Sequence, residues 1–287
     1  FYYSYQTLRN HMGIKRRHFC IPETQCAPGH PTAHLRWIGK AIAEYEPDVV
    51  IHLGDHWDMP SASTWSAPGS KAKEGARLFD DIKAGNDAMY LLEASIGKFK
   101  PKRKVILRGN HEHRLDRVVE NDPKLEGVVG THLFNDVEVG WEVVPYCNGS
   151  PKAINIDGVV YAHYFANPNT GKPIAGTIQN RLSKIGASFV QGHQQGLLQG
   201  NQQYATGQIR HGIVAGSAYL HDEPYKGMAN AHWRGVVVLN EVDDGQFCEM
   251  PLTLDYLCRK YEGMSLDRFL QRNYKRAKER FTLAGAM

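Results

Sequence analysis

The chain has no apolar run approaching the ~20 residues that a bilayer-spanning helix needs, which excludes a polytopic membrane protein. It also lacks a strong charge imbalance. Lys and Arg number 34 against 30 Asp and Glu, so the net charge of +4 does not by itself announce a nucleic-acid binder, although it eases the approach of an anionic substrate. Cysteine is scarce, five in 287 residues with no Cys-x-x-Cys pair, which fits free thiols in a reducing cytoplasm, or in a host cytoplasm if the source is viral. Residues 1–18 lack the apolar centre of a signal peptide. Internal repeats and low-complexity linkers are absent too. The ordinary 42% hydrophobic share points to one globular domain spanning 1–287, with its core over about 18–255.

Within that frame the hydrophobic pattern predicts alternating strands and helices in the first half. A strand at 18–23 leads to a helix opened by Pro31 and ended by Pro47; an apolar strand at 48–53 and a long helix over 71–97 follow, then a strand at 104–108. The second half changes character. Asp157-Gly158 between 153–156 and 159–163 is a hairpin signal, and a helix near 173–186 precedes strands at 187–192, 209–215, 233–242 and 246–253. An amphipathic helix at about 265–281 closes the chain. The expected fold is α/β, a mixed two-sheet β-sandwich flanked by helices.

In such folds ligands bind beyond the carboxyl ends of parallel strands. Four of these ends carry ligand-type residues: Gly54-Asp55 after one apolar strand, Gly109-Asn110-His111-Glu112 after the next, then His163 and Gly192-His193. An isolated Asp at a strand end usually caps a helix, and a lone His usually serves packing. Four together point to a metal-dependent site. The His-Glu-His at 111–113 is not a zinc-protease motif, because helical ligands on one face need i, i+4 spacing.

Gly54-Asp55-x-x-Asp58, Gly109-Asn110-His111-Glu112, the lone His163 and Gly192-His193 make the chain resemble the calcineurin-like metallophosphoesterase family over about residues 18–255. The resemblance implies two divalent ions bridged by Asp55, with Asn110, His163 and His193 completing one of them and His111 facing the scissile phosphate. It implies Glu23, Gln25 and Gln195 around the other. There the chain departs from the family pattern: Ile21-Pro22-Glu23-Thr24-Gln25 stands where Asp-x-His is expected, and Gln195 replaces the last His. A phage and prophage subgroup is similar in having Ile-Pro-Asp-Thr-Gln in the first motif. Ligands made of carboxylates and amides favour Mn²⁺, with Mg²⁺, Fe, Ni²⁺ and Zn²⁺ as alternatives, and make this second site the weaker one.

The expected activity is hydrolysis of phosphomonoesters or phosphodiesters, nucleotides or nucleic acid slightly favoured, with a metal-activated water and His111 as acid. A metal-depleted binding module on the same fold is the alternative. Arg114 and His113 are candidates to grip the substrate, Arg114 equally for a surface pairing with Asp116. Glu112 is expected either to orient this region or to cap the helix after it. Trp57 is expected to pack more than to stack on a base, and His30 and His34 to be exposed. Tyr219, His221 and His232 lie on a loop that could reach the cleft, and the basic terminal helix (Arg268, Arg272, Lys275, Arg276, Lys278, Arg280) reads as a solvated face before a nucleic-acid contact.

Overall fold

The structure is a computed structural model that describes residues 15–64, 69–70, 73–223 and 227–283, with backbone only at 227, 229 and 275–283. The expectations for the N-terminal 14 residues, and for Lys275, Arg276, Lys278 and Arg280, lie outside what it describes. In chain order the strands are β1 (Arg16–Ile21), β2 (Val49–His52), β3 (Arg103–Leu107), β4 (Glu142–Val144), β5 (Tyr146–Cys147), β6 (Ser150–Pro151), β7 (Ala153–Ile156), β8 (Val159–Ala162), β9 (Phe189–Gln191), β10 (Leu197–Gln203), β11 (Ile209–Ala215), β12 (Gly235–Asp243) and β13 (Gln246–Thr253). The helices are α1 (Ala33–Tyr45), α2 (Leu78–Ile96), α3 (His113–Asn121), α4 (Ile178–Ile185), α5 (Leu254–Glu262) and α6 (Leu266–Leu283).

One sheet has the order β13-β12-β1-β2-β3-β4, with β1 to β4 mutually parallel. The other has the order β10-β11-β9-β8-β7, with β8, β9 and β11 parallel. Side chains alternate across each strand, and this builds four layers. Cys20, Val49, Ile51, Val105, Val237 and Leu239 meet Tyr161, Val190 and Ile213 between the sheets. Their neighbours Phe19, Ile21, Val50, Ile106, Val236 and Val238 face α1, α2, α5 and α6 on one flank. On the other flank α4 packs Ile178 and Leu182 against Phe189 and Val214. Each fully buried aliphatic side chain contributes roughly 1.5–3 kcal/mol, so this double burial explains why β2 reads as one apolar run.

Several boundaries differ from the hydrophobic pattern. The long helix starts at Leu78, not near 71, because Gly75 adopts a left-handed φ of +73°. Helix α4 is shorter than 173–186, since Thr177 caps it by accepting from the Asn180 N–H. Strand β10, Leu197–Gln203, lacks β-branched residues and was not expected; it is fixed by seven-residue antiparallel pairing with β11. Helix α5 directly after β13 was not expected either, and Thr253 caps it. Among the described residues no helix is long and apolar enough to cross a membrane, and all five cysteines are free.

Candidate metal centre

The carboxyl ends of β2, β3, β8 and β9 open onto one place. After β2 the chain turns through Gly54 and Asp55, with φ of +96° and +53°. After β3 it passes Gly109, where a Cβ would lie 2.0 Å from the Asp55 Oδ1. Only glycine lets these two turns close on each other. Glu112, fully buried, ties them: its carboxylate accepts from the N–H groups of Asp55 (3.0 Å), His56 (2.6 Å), Trp57 (3.1 Å) and Gly109 (2.8 Å). It makes no side-chain bond to cap α3, so of its two expected roles the structure gives it the orienting one. Burial, and next the Asp55 charge, raise its pKa.

A third strip of chain joins from β1. The Gln25 N–H donates to Asp55 O (2.9 Å), Cys26 N–H to His56 O (2.7 Å), and Ala218 N–H to Glu23 O (2.7 Å). Glu23, Asp55, His163 and His193 thereby bring one ligand atom each within 4.8 Å of one another. His163 is oriented by its Nδ1–H, which donates to Leu53 O at 2.8 Å. Its Nε2 lone pair then faces Asn110 Oδ1 (3.0 Å), His193 Nδ1 (3.2 Å) and Asp55 Oδ2 (3.4 Å). Such converging acceptor atoms are what a divalent cation satisfies, and a backbone carbonyl behind a ligating imidazole sets its tautomer. Burial and the neighbouring His163 lower the His193 pKa to about 4, which keeps its ring neutral. The Gln25 and Gln195 amides both donate to Glu23 Oε2, at 3.1 and 3.4 Å, while the buried Gln25 Oε1 has no hydrogen-bond partner. The donor set of Glu23, Asp55, His163 and His193 therefore fits a divalent cation, with Asn110 Oδ1 beside the imidazoles and the Gln25 and Gln195 amides beside Glu23.

His111 stands beside this cluster. Its backbone N–H donates to Asp55 Oδ1 (2.9 Å), its Nε2 is 3.7 Å from Asp55 Oδ2, and its Nδ1 is 2.7 Å from Asp58 Oδ1. Burial lowers the imidazole pKa, but the Asp55 and Asp58 carboxylates outweigh it and raise the value to about 8. Burial likewise opposes ionisation of Asp58, and His111 and Arg114 overcome it to bring its pKa to about 2. Asp58 was not among the assigned site residues, yet its place three positions after Asp55 was the signal for it. Arg114 is buried behind Asp58 and donates to its backbone oxygen at 2.6 Å. The expected surface pairing of Arg114 with Asp116 is thus corrected, since Asp116 pairs with His113 at 3.0 Å.

Other candidates take structural places. Trp57 is buried, stacked on Phe134 at 4.2 Å, and donates to Asn86 Oδ1. His34, expected to be exposed, is 1% exposed inside α1, because the apolar face of that helix includes its position. His30 stacks on His221 at 3.8 Å, and His221 on Tyr219 at 4.5 Å. His232 bonds Ser217 Oγ at 2.9 Å. Arg181 on α4 donates to Ile174 O, Gly176 O and Gln194 Oε1, bracing the loop that carries His193 and Gln195; nothing in its sequence neighbourhood announced this.

A family model for calcineurin-like phosphoesterases matches residues 11–197, nearly two thirds of the chain and every residue from Glu23 to Gln195 discussed above. The chain belongs to the calcineurin-like phosphoesterase family. No curated protein matches it significantly. Membership of this metallophosphoesterase family carries with it metal-dependent phosphoester hydrolysis, and the α/β fold of two flanked sheets agrees with it.

Proposed function

We propose that the chain hydrolyses phosphomonoesters or phosphodiesters, nucleotides or nucleic acid among them, with divalent ions on both sides of Asp55. Asn110, His163, His193 and Asp55 would hold one ion; Glu23, Gln25, Gln195 and Asp55 would hold the other, with Mn²⁺ the best match to its oxygen-rich donors. When bound, such ions acidify water and withdraw charge from phosphate oxygens. The observation that carries the reading is the Asp58–His111 pair set against Asp55 at the strand ends. Asp58 holds the Nδ1 end of His111, so the Nε2 end is left to present a proton to the departing oxygen, a task worth about 10²–10⁴ in rate. Arg114 supports Asp58 from behind, and Glu112 keeps the Asp55 and Gly109 turns in register.

The test compares His111→Ala with the native chain on an aryl phosphate and its diester in Mn²⁺, Mg²⁺, Ni²⁺ and Zn²⁺, with bound metal measured in parallel. Turnover falls by two orders of magnitude or more while metal content holds; equal loss of metal would sink the acid role. One observation favours a second reading, a metal-poor binding module: both amides already satisfy Glu23 Oε2 without an ion. Metal bound without turnover under every condition would select that module.

A further inference from the structure

One cation beside the centre is left over by the chemistry described so far. Arg117 follows His113 by one helical turn, so both lie on the same face of α3. Its Nε is buried with no hydrogen-bond partner, and among the described residues its guanidinium makes no ion pair. Asp116, the adjacent acid, is taken by His113. The large majority of buried side-chain polar atoms find partners in folded proteins, so a buried Nε without an acceptor, on a half-buried arginine whose side chain has no carboxylate partner among the described residues, points to a ligand that supplies one.

The surroundings connect this arginine to the centre. The His113 ring lies nearly parallel to Tyr146, with centroids 4.4 Å apart. The Tyr146 hydroxyl bonds that of Tyr164 at 2.7 Å, and the Tyr164 ring is 4.8 Å from the ring of His193. Asp55 and Arg117 both act electrostatically on the Tyr146 hydroxyl, in opposite senses. A series of rings, Tyr164, Tyr146 and His113, therefore runs from His193 to α3, where Arg117 lies one helical turn beyond His113. One helical turn, about 5.4 Å, separates Arg117 from His113 along α3.

We infer that Arg117, with the His113–Tyr146–Tyr164 rings, forms a subsite for a second phosphate group of the substrate, apart from the scissile ester. The inference rests on the phosphoesterase reading for the identity of the first phosphate. It narrows the substrate to molecules bearing two phosphates, whether a bisphosphorylated nucleotide or a polynucleotide strand. The guanidinium acts by charge-assisted, bidentate bonding to the distal phosphate and takes no part in bond cleavage.

The experiment uses the metal-loaded full chain and two matched esters, the p-nitrophenyl ester of thymidine 5′-phosphate with and without a 3′-phosphate. Binding of thymidine 3′,5′-bisphosphate and thymidine 5′-monophosphate is measured by calorimetry on the same samples. The native chain should show KM lower by at least about tenfold for the 3′-phosphorylated ester, with kcat little changed. Arg117→Gln should erase that difference, Arg117→Lys should keep part of it, and neither should alter KM for the ester lacking the extra phosphate. A native chain without the preference, or an Arg117→Gln chain that retains it, overturns the subsite. Absence of turnover with the bisphosphate still bound more tightly through Arg117 overturns the hydrolase reading alone. A 5′-phosphorylated tetranucleotide as competitor separates the two sources: displacement of the bisphosphate by it marks a strand, and no displacement marks a free nucleotide.

Discussion

Replacing Glu112 by Gln removes one charge and almost no volume, yet the site predicts a large effect. Two N–H groups point at each carboxylate oxygen, those of Asp55 and Gly109 at Oε2 and those of His56 and Trp57 at Oε1. Glutamine has a single acceptor oxygen, so two of the four donors would face an NH₂ group. A buried donor left unsatisfied costs about 1–3 kcal/mol, giving a loss of about 2–6 kcal/mol. That is a large part of the ~5–15 kcal/mol by which domains are stable. With a urea slope near ~3 kcal/mol/M, the unfolding midpoint of metal-free protein should fall by about 0.7–2 M. Mn²⁺ affinity should fall as well, because the Asp55 and Gly109 turns separate. If the carboxyl were protonated in the native state, glutamine would mimic it. A midpoint within about 0.3 M of the native chain would therefore refute the assignment of Glu112 as an ionised brace of both turns.

Gly109→Ala should abolish tight metal binding in calorimetric titration, because its Cβ would sit 2.0 Å from Asp55 Oδ1 and displace that carboxylate; unchanged affinity would contradict the packing. Burial brings the His34 pKa from 6.5 to about 3, so the unfolded chain gains a proton below pH 6.5 that the folded chain refuses. The stability tied to His34 is present above pH 6.5 and is lost on acidification, by about 2 kcal/mol between pH 8 and pH 5. His34→Phe should lose that much less over the same interval in urea titrations, and parallel slopes would disprove its share. Gln195→His should tighten binding of a second Mn²⁺ or Zn²⁺ and raise turnover on an aryl diester; if neither moves, position 195 does not reach the metal.

The residues legible in the sequence were those whose position is set by strand ends. Asp55, Asn110, His163 and His193 each follow an apolar run and a tight turn, and parallel strands carry such turns to one edge. The elements that escaped are held by partners distant in the chain. Strand β10 exists because β11 lies beside it, not because Leu197–Gln203 prefers extension. Strand β4 is three residues added to β3, too short for alternation to register. The same holds within the site. Arg114 read equally as a substrate contact and as a surface partner of Asp116, whereas α3 turns it toward Asp58, and Arg181 acts on a loop thirteen residues further on through Gln194. His34 occupies a helical position that periodicity marks as interior, and its polarity alone suggested otherwise.

Glu112 fastens both turns from beneath, so the Asp55, Asn110 and His111 region behaves as one rigid fixture; the strip carrying Glu23 and Gln25 is stitched to it through the backbone, and Gln195 comes from the loop after β9. Exchanging the side chains at those three positions leaves these backbone bonds and the Glu112 brace in place. On the proposed two-ion reading, the chain would thus alter how strongly one ion is held, and which ion, without retuning His111. On that reading, imidazole in place of amide around Glu23 would shift metal preference while the Asp58–His111 pair kept its geometry.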